Sequence, residues 1–194
     1  MTKVKICGLH TIAAVETANQ IHADLAGFVF AKSRRQVDFE LAKQLRAALA
    51  PQIEAVGVFI EPDLPLITKL AQSNVVQIIQ IHGAQDQATI DQIHQLGLRV
   101  TQVIHPGTPL ITKPDYVMFD GVNPGSGQAI DWAGVQQVDQ PVFLAGGLTP
   151  DNVVTAIERV HPEYVDVSSG VETNGQKDPN KIIEFTRRAH HARN

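Results

Sequence analysis

The chain is poor in cysteine, in aromatic residues and in excess positive charge. A single cysteine among 194 residues excludes an internal disulfide framework and is typical of a reducing cytoplasm. Aromatic residues make up only 5% and the formal net charge is −4, which argues against a base-stacking surface or a basic patch. No apolar run reaches the roughly 18 residues of a transmembrane helix. We therefore expect a cytoplasmic protein that binds neither nucleic acid nor membranes.

What the sequence does contain is a regular alternation of short apolar runs with stretches of helical period. A hydrophobic fraction of 43% suffices for one sizeable core, and we expect a single domain over residues 1–194. The first predicted strand begins at Val4, so we expect no signal peptide before it. The predicted strands cover residues 4–7, 25–30, 55–59, 76–81, 99–104, 116–120, 142–145 and 164–167.

Several of these strands are apolar throughout, as expected of parallel strands covered on both faces. Predicted helices occupy most of the intervals, at residues 12–22, 39–49, 62–71, 86–96, 151–160 and 180–189. Pro62, Thr149-Pro150 and Asp178-Pro179 mark three of the predicted helix starts. Eight strand-helix units predict an α/β fold, a compact TIM (β/α)8 barrel.

One interval departs from the pattern. Residues 105–115 contain three prolines and a glycine, so we expect a loop in place of the fifth helix. The sixth helix is reduced to one or two turns near residues 131–135.

Glycines cluster where the last two predicted strands end. Ala145-Gly146-Gly147-Leu148 follows the seventh strand and Ser168-Ser169-Gly170-Val171 follows the eighth. In barrels of this type these two loops form the usual phosphate site, because glycine lets backbone N–H groups approach the ligand. Plain tight turns are the alternative, but the joint occurrence favours a phosphorylated ligand. Pro124-Gly125-Ser126-Gly127 offers a further backbone contact after the sixth strand.

Two chemically capable residues also stand at strand ends. Cys7 closes the first strand in Lys5-Ile6-Cys7-Gly8, and Asp120 closes the sixth after four apolar or aromatic residues. A free cysteine is usually a small buried hydrophobic residue, but a thiolate at the barrel mouth can remove a proton. An aspartate there is either a loop cap or, with its pKa raised by burial, a proton donor.

Other polar residues are predicted at the same rim. Arg34 and Arg35 follow the second strand, where they are either solvated charges or one of them clamps a carboxylate. His82 follows the fourth strand and is a ligand contact, an acid-base group or a hydrogen-bonded rim histidine. His82, His105 and Asp120 are possible metal ligands. However, strands two and three end in Phe30-Ala31 and Phe59-Ile60, which disfavours a metal-dependent sugar-phosphate epimerase.

With these residues in place, the chain resembles the phosphoribosylanthranilate isomerases of tryptophan biosynthesis. Matching blocks run through nearly the whole sequence in order. They are Lys5-Ile6-Cys7-Gly8, Gly27-Phe28-Val29-Phe30 with Ser33-Arg34-Arg35, Val56-Gly57-Val58-Phe59, Gln80-Ile81-His82-Gly83, Phe119-Asp120 with Gly125-Ser126-Gly127 and Asp131-Trp132, Ala145-Gly146-Gly147-Leu148, and Val165-Asp166-Val167-Ser168-Ser169-Gly170-Val171-Glu172.

The resemblance implies an Amadori rearrangement of N-(5-phosphoribosyl)anthranilate to 1-(2-carboxyphenylamino)-1-deoxy-D-ribulose 5-phosphate, the third step from chorismate. It implies that Asp120 is the general acid, that Cys7 is the general base and that Arg35 binds the anthranilate carboxylate. From the strand-end and loop positions above, we further expect substrate contacts by His82, Gly127, Gly146, Gly147, Ser169 and Gly170. No metal, organic cofactor or obligate protein partner is implied.

Some alternatives stay open at this point. The segment between Lys32 and Val37 is about a residue shorter than the family's common form. Either Arg34 or Arg35 can therefore be the residue that binds the anthranilate carboxylate. A non-catalytic barrel that binds a phosphorylated ligand has the same phosphate loops, but it needs neither Cys7 nor Asp120.

Overall fold

Eight parallel strands close into a barrel in the computed structural model, which describes residues 1–82, 85–121 and 131–192. Each strand pairs with its sequence neighbours, and β1 pairs with β8 to complete the ring. The strands are β1 Lys3–Cys7, β2 Leu25–Val29, β3 Glu54–Phe59, β4 Ile78–His82, β5 Arg99–Ile104, β6 Tyr116–Phe119, β7 Val142–Leu144 and β8 Tyr164–Val167. The predicted barrel is confirmed, and no strand boundary is off by more than two residues.

Helices surround the barrel at all the predicted places. They are α1 Ile12–Gln20, α2 Phe39–Ala48, α3 Leu64–Gln72, α4 Gln87–Gln95, α5 Val153–Val160 and α6 Pro179–His191. In four of them the residue just before the helix is an N-cap aspartate, whose carboxylate accepts a hydrogen bond from a backbone N–H of the first turn. These caps are Asp38, Asp63, Asp86 and Asp178. These caps fix where the chain turns from each strand end into the following helix.

Two predicted helix starts are wrong. The third helix begins at Leu64 rather than Pro62, because Asp63 caps it and Pro65 takes the position in the first turn. The helix predicted from residue 151 begins at Val153, because the Asn152 side chain holds a turn through Thr149 N and Gly147 O. The Asp178-Pro179 start is confirmed.

The connection between β5 and β6 contains no helix over residues 105–115, all of which are described, as the prolines predict. Where the reduced sixth helix is predicted, near residues 131–135, the structure has a 3-10 turn at Trp132–Gly134. After β8 come a 3-10 turn, Ser169–Val171, and a short hairpin of β9 Glu172–Thr173 and β10 Gln176–Lys177. This hairpin is not predicted from the sequence.

Alternate residues of each strand point into the barrel. At its lower end, Phe143 stacks on Tyr164 and both rings meet Tyr116 edge-on, which plugs the interior. A larger apolar core lies between the strands and the helices. Because these rings fill the lower end of the barrel, a ligand enters the interior from the carboxyl ends of the strands. Among the described residues, none of the helices has the length and apolar character to cross a membrane.

Candidate active site

A cavity of about 330 Å³ opens at the carboxyl ends of the strands. It brings together Cys7, Arg35, His82 and Asp120, which the sequence predicts at one rim. The other residues that line it are Val29, Ala31, Lys32, Ser33, Val58, Ile60, Gln80, Asp166 and Ser168. The carboxyl, the thiol and a guanidinium therefore share a single concave site beside an apolar wall.

The thiol of Cys7 stands at the last residue of β1 and is only 7% exposed. Its register partner on β2 is Gly27, and a Cβ there would lie 3.0 Å from Sγ. The missing side chain leaves the space that the thiol occupies. Burial raises the pKa of the Cys7 thiol, and the neighbouring Lys5 ammonium opposes that rise. A thiol in this setting needs a nearby cation to act as a base.

The carboxyl of Asp120 comes directly after β6 and is 9% exposed. Burial raises its pKa to about 6, although the N–H of Gly121 donates a hydrogen bond to Oδ1 at 2.7 Å. His105 hydrogen-bonds the backbone oxygen of Asp120 at 3.0 Å, which fixes the residue at the rim. The pKa makes this carboxyl a usable proton donor close to neutral pH.

An ion pair lies beneath these groups. Lys5 Nζ is 2.8 Å from Asp166 Oδ1, and the two side chains are 1% and 9% exposed. Burial disfavours the Lys5 ammonium, but the neighbouring Asp166 and Cys7 together outweigh burial and raise the lysine pKa. Because Asp166 also lines the cavity, the pair forms part of the site floor.

Arg35 reaches the cavity across Gly8, whose φ is +77° and whose added Cβ would lie 2.5 Å from Arg35 Cδ. Glu172, on β9, accepts hydrogen bonds from Arg35 Nε at 2.6 Å and Nη2 at 3.0 Å. Arg34 also pairs with Glu172, but its side chain is 53% exposed and does not line the cavity. Of the two arginines, the geometry directs Arg35 to the site.

Glu172 forms ion pairs with three cations, Arg34, Arg35 and Lys177. Burial opposes its ionisation, but hydrogen bonds from Arg35 and Lys177 outweigh burial and lower its pKa to about 2. Lys177 Nζ lies 3.0 Å from Glu172 Oε1 and also donates to the backbone oxygen of Ser168 at 2.9 Å. The short hairpin after β8 is thereby tied to the arginine and to the rim.

His82 is the last residue of β4 and lines the same cavity. Burial lowers its pKa to about 4, so the ring is neutral at physiological pH. Gln80 Nε2 lies 3.1 Å from His82 Nε2, within hydrogen-bonding distance. The Gln80 Oε1 atom is buried without a hydrogen-bond partner among the described residues, and Gln80 lines the cavity. These two side chains suit hydrogen bonding to a ligand hydroxyl.

The predicted phosphate loops adjoin each other but do not line this cavity, apart from Ser168. Gly146 and Gly147 have φ of +83° and +67°, and a Cβ on Gly170 would lie 1.8 Å from Leu148 O. The loops after β7 and β8 therefore pack backbone to backbone beside the mouth. Ser169 follows the lining residue Ser168, and Gly127 lies outside the described residues.

Sequence reasoning gave no role to Lys5, Asp166, Gln80 or Glu172. Each is a polar residue at an inward or rim position of a strand, and three of them interrupt an otherwise apolar run. That pattern flags them as unusual, but pairing them requires the register of strands far apart in sequence. Across the described ranges, histidine, cysteine and carboxylate side chains form no cluster of three or more that suits a metal ion.

Comparison with known proteins gives consistent matches along the chain. The family model described as N-(5'phosphoribosyl)anthranilate (PRA) isomerase matches residues 4–188. An N-(5'-phosphoribosyl)anthranilate isomerase of Streptococcus gordonii is 45% identical over 190 residues, which cover 97% of each chain.

Solved structures agree. Phosphoribosyl anthranilate isomerase from Thermus thermophilus superposes with a TM-score of 0.88 at 27% identity, over 99% of this chain and 100% of that one. A phosphoribosyl anthranilate isomerase in complex with reduced 1-(o-carboxyphenylamino)-1-deoxyribulose 5-phosphate has a TM-score of 0.79 at 27% identity, over 98% and 99% of the two chains.

Proposed function

The chain belongs to the N-(5'-phosphoribosyl)anthranilate isomerase family, and from that premise we propose that Cys7 and Asp120 carry its two proton transfers. The protein is an isomerase of tryptophan biosynthesis. The observation that supports the assignment is the single cavity lined by one buried thiol and one buried carboxyl of raised pKa. General acid-base catalysis requires two such groups within reach of one substrate.

Asp120 acts first in this scheme. Its carboxyl donates a proton to the furanose ring oxygen of phosphoribosylanthranilate, and the bond between that oxygen and C1 breaks. The nitrogen lone pair of the anthranilate forms a double bond to C1, which gives a protonated Schiff base and a free hydroxyl on C4. A pKa of about 6 keeps the carboxyl accessible in its protonated form near neutral pH.

Cys7 acts second. Its thiolate removes the proton from C2, the C2–H electrons form a double bond to C1, and the C1–N π electrons return to nitrogen. The resulting enolamine moves its hydroxyl proton to C1 and becomes the ketone. Atoms and electrons balance without an external oxidant, so we propose no cofactor and no metal. One proton passing from the thiol to the Asp120 carboxylate resets the enzyme.

Arg35 binds the anthranilate carboxylate in this proposal. The two hydrogen bonds to Glu172 use two of the five N–H donors of the guanidinium. Among the described residues no other side chain takes the remaining donors, which we assign to the ligand. The apolar wall of Val29, Ala31, Val58 and Ile60 stands in the same cavity and suits an aromatic ring. His82 and Gln80 bind sugar hydroxyls.

The phosphate is assigned to the backbone of the adjoining loops, at Gly146, Gly147, Ser169 and Gly170. Support comes from their close packing at the mouth and from the usual position of phosphate in such barrels. Gly127 remains a proposed contact from the sequence alone. We also propose a cytoplasmic location, consistent with one unpaired cysteine.

Loss of anthranilate fluorescence during turnover tests the assignment. The wild-type protein is expected to consume the substrate. Cys7→Ser and Asp120→Asn are each expected to lower kcat by about 10²–10⁴-fold, the usual contribution of a general acid or base, with smaller changes in substrate binding. Wild-type turnover in either variant would reject that residue's role. Tight ligand binding without turnover by the wild type would indicate a non-catalytic barrel instead.

A further inference from the structure

The buried Lys5–Asp166 pair is not used in the mechanism above and calls for an explanation. Lys5 faces Asp166 in register across the β1–β8 pairing, and both side chains are almost fully buried. Burying an ion pair gives up hydration of both charges, and apolar side chains of similar size often stabilise a core equally well. An interior ion pair at the floor of an active site therefore suggests a role in the chemistry.

The position of the ammonium relative to Cys7 suggests which role. Residues 5 and 7 point to the same face of β1, so the lysine lies one layer beneath the thiol. Gly27 on the neighbouring strand leaves a gap, and a Cβ built there would lie 3.0 Å from Cys7 Sγ and 3.3 Å from Lys5 Nζ. Both atoms thus border the same small space over Gly27.

The protonation states explain the need for this neighbour. With a pKa of about 6, Asp120 is mostly ionised at neutral pH, whereas burial keeps Cys7 mostly a thiol. The reaction requires the reverse, a carboxylic acid and a thiolate. A fixed positive charge beside the sulfur makes the thiolate more accessible.

The other charged groups around the thiol do not replace Lys5. Lys177 also favours the thiolate, but its ammonium is already shared between Glu172 and the Ser168 carbonyl. Asp166 opposes the thiolate more weakly than Lys5 favours it. Among the described residues, the other ionisable groups on the cavity wall are Lys32, Arg35, His82 and Asp120.

We propose that Lys5 is a positioning residue that serves as the counter-ion of the Cys7 thiolate, and that Asp166 holds its ammonium in place beneath the sulfur. This inference rests on the proposed function, in which Cys7 is the base. Lys5 touches no reacting atom in this account and acts only through the thiol.

The rate of alkylation by iodoacetamide as a function of pH tests the proposal, because only thiolates react and Cys7 is the only cysteine of the chain. In Lys5→Met we expect the midpoint of this profile to move to higher pH, with a rate at pH 8 about tenfold or more below wild type. The matched control is Lys3→Met, which removes the same charge from the same strand at an exposed position. It is expected to leave the profile unchanged.

Lys5→Met leaves Asp166 buried without its partner, which threatens folding. The double variant Lys5→Met/Asp166→Asn removes both charges and is expected to show the same direction of change, since Lys5 has the larger influence on the thiol. An unchanged pH midpoint, together with an alkylation rate at pH 8 within twofold of wild type, in a folded variant would overturn the proposal.

The alkylation profile needs no turnover. Its failure would leave the assignment of Cys7 as base intact, whereas full activity of Cys7→Ser would reject that assignment whatever the profile. In the kinetic assay, loss of Lys5 is expected to lower kcat with little change in KM, a separation that a general loss of structure would not give.

Discussion

Glu172 holds Arg35 by two parallel hydrogen bonds, from Nε at 2.6 Å and from Nη2 at 3.0 Å, across 137 positions of sequence. The carboxylate comes from the short hairpin that follows β8, and the guanidinium comes from the loop that follows β2. Such a two-point contact fixes the plane of the guanidinium before substrate arrives, and preorganisation of this kind reduces the entropy lost on binding.

The two arginines are expected to differ sharply in their effect on binding. Arg35→Gln removes the proposed partner of the anthranilate carboxylate, and a hydrogen bond to a charged group contributes about 1.5–3 kcal/mol, so KM should rise at least tenfold. Arg34→Gln removes a guanidinium that is 53% exposed, whose contact with Glu172 contributes about 1 kcal/mol or less, and it should alter KM less than about threefold. Steady-state kinetics of both variants measure this. A larger effect of Arg34→Gln would transfer the role to Arg34.

Glu172→Gln should act through Arg35. The variant keeps one acceptor oxygen but loses the charge, so the Arg35 guanidinium becomes less well fixed. We expect KM to rise several-fold while kcat changes little. The double variant Arg35→Gln/Glu172→Gln should be no worse in KM than Arg35→Gln alone, since both changes act on one contact. Additive effects would show that Glu172 acts independently of Arg35.

Asp120→Asn should make the protein more stable above pH 6 although it lowers kcat. The pKa of Asp120 is raised from 3.8 to about 6 in the folded state, so the folded chain binds this proton more tightly than the unfolded chain. The stability that this gives is present below pH 3.8 and is lost as pH rises through about 6. The penalty at pH 8 is on the order of 3 kcal/mol.

Urea unfolding of wild type and Asp120→Asn at pH 4.5 and pH 8 measures the effect. The variant's advantage in free energy of unfolding is expected to grow from the lower to the higher pH. If the difference between the two proteins were independent of pH, the carboxyl would not carry the burial penalty.

Gly27→Ala adds one methyl group beside Cys7 and should disturb the position of the thiol. The new Cβ would lie 3.1 Å from the backbone Cα of Cys7 as well as close to its sulfur, so β1 and β2 would have to separate. We expect kcat to fall at least about tenfold, with a stability loss of about 1–3 kcal/mol from overpacking.

The matched control for this substitution is Gly57→Ala on β3. There the nearest atoms belong to the side chains of Phe59, Ile79 and Phe30, at 3.2–3.4 Å, and they can shift. Its kcat should stay close to wild type. Equal loss of activity in both variants would show that the contact over Gly27 has no special part in catalysis.

Much of the fold was predictable because strand and helix periods are local properties of the sequence. The boundaries of β5 and β8 agree with prediction at both ends, and the prolines of residues 105–115 correctly exclude a fifth helix. The start of α3 was wrong because Pro62 and Pro65 both suit a first turn, and only the cap at Asp63 decides between them. The β9–β10 hairpin was missed because two-residue strands leave no periodic pattern.

The site was predictable to a similar depth. Cys7, Arg35, His82 and Asp120 stand at strand ends or in the loop that follows, and the barrel topology alone brings them to one rim. Lys5 with Asp166 and Arg35 with Glu172 were not predictable as pairs. Each joins residues more than 130 positions apart, and only strand register and side-chain direction determine that they meet.

The proposed proton transfers depend above all on the distances from Cys7 Sγ and the Asp120 carboxyl to the sugar, which a crystal structure with reduced 1-(o-carboxyphenylamino)-1-deoxyribulose 5-phosphate would measure. Both groups are expected to lie within about 3.5 Å of the open sugar chain, on opposite sides of it, with the ligand's carboxylate on Arg35. A ligand that contacts neither group, or both from the same side, would contradict the proposed proton transfers.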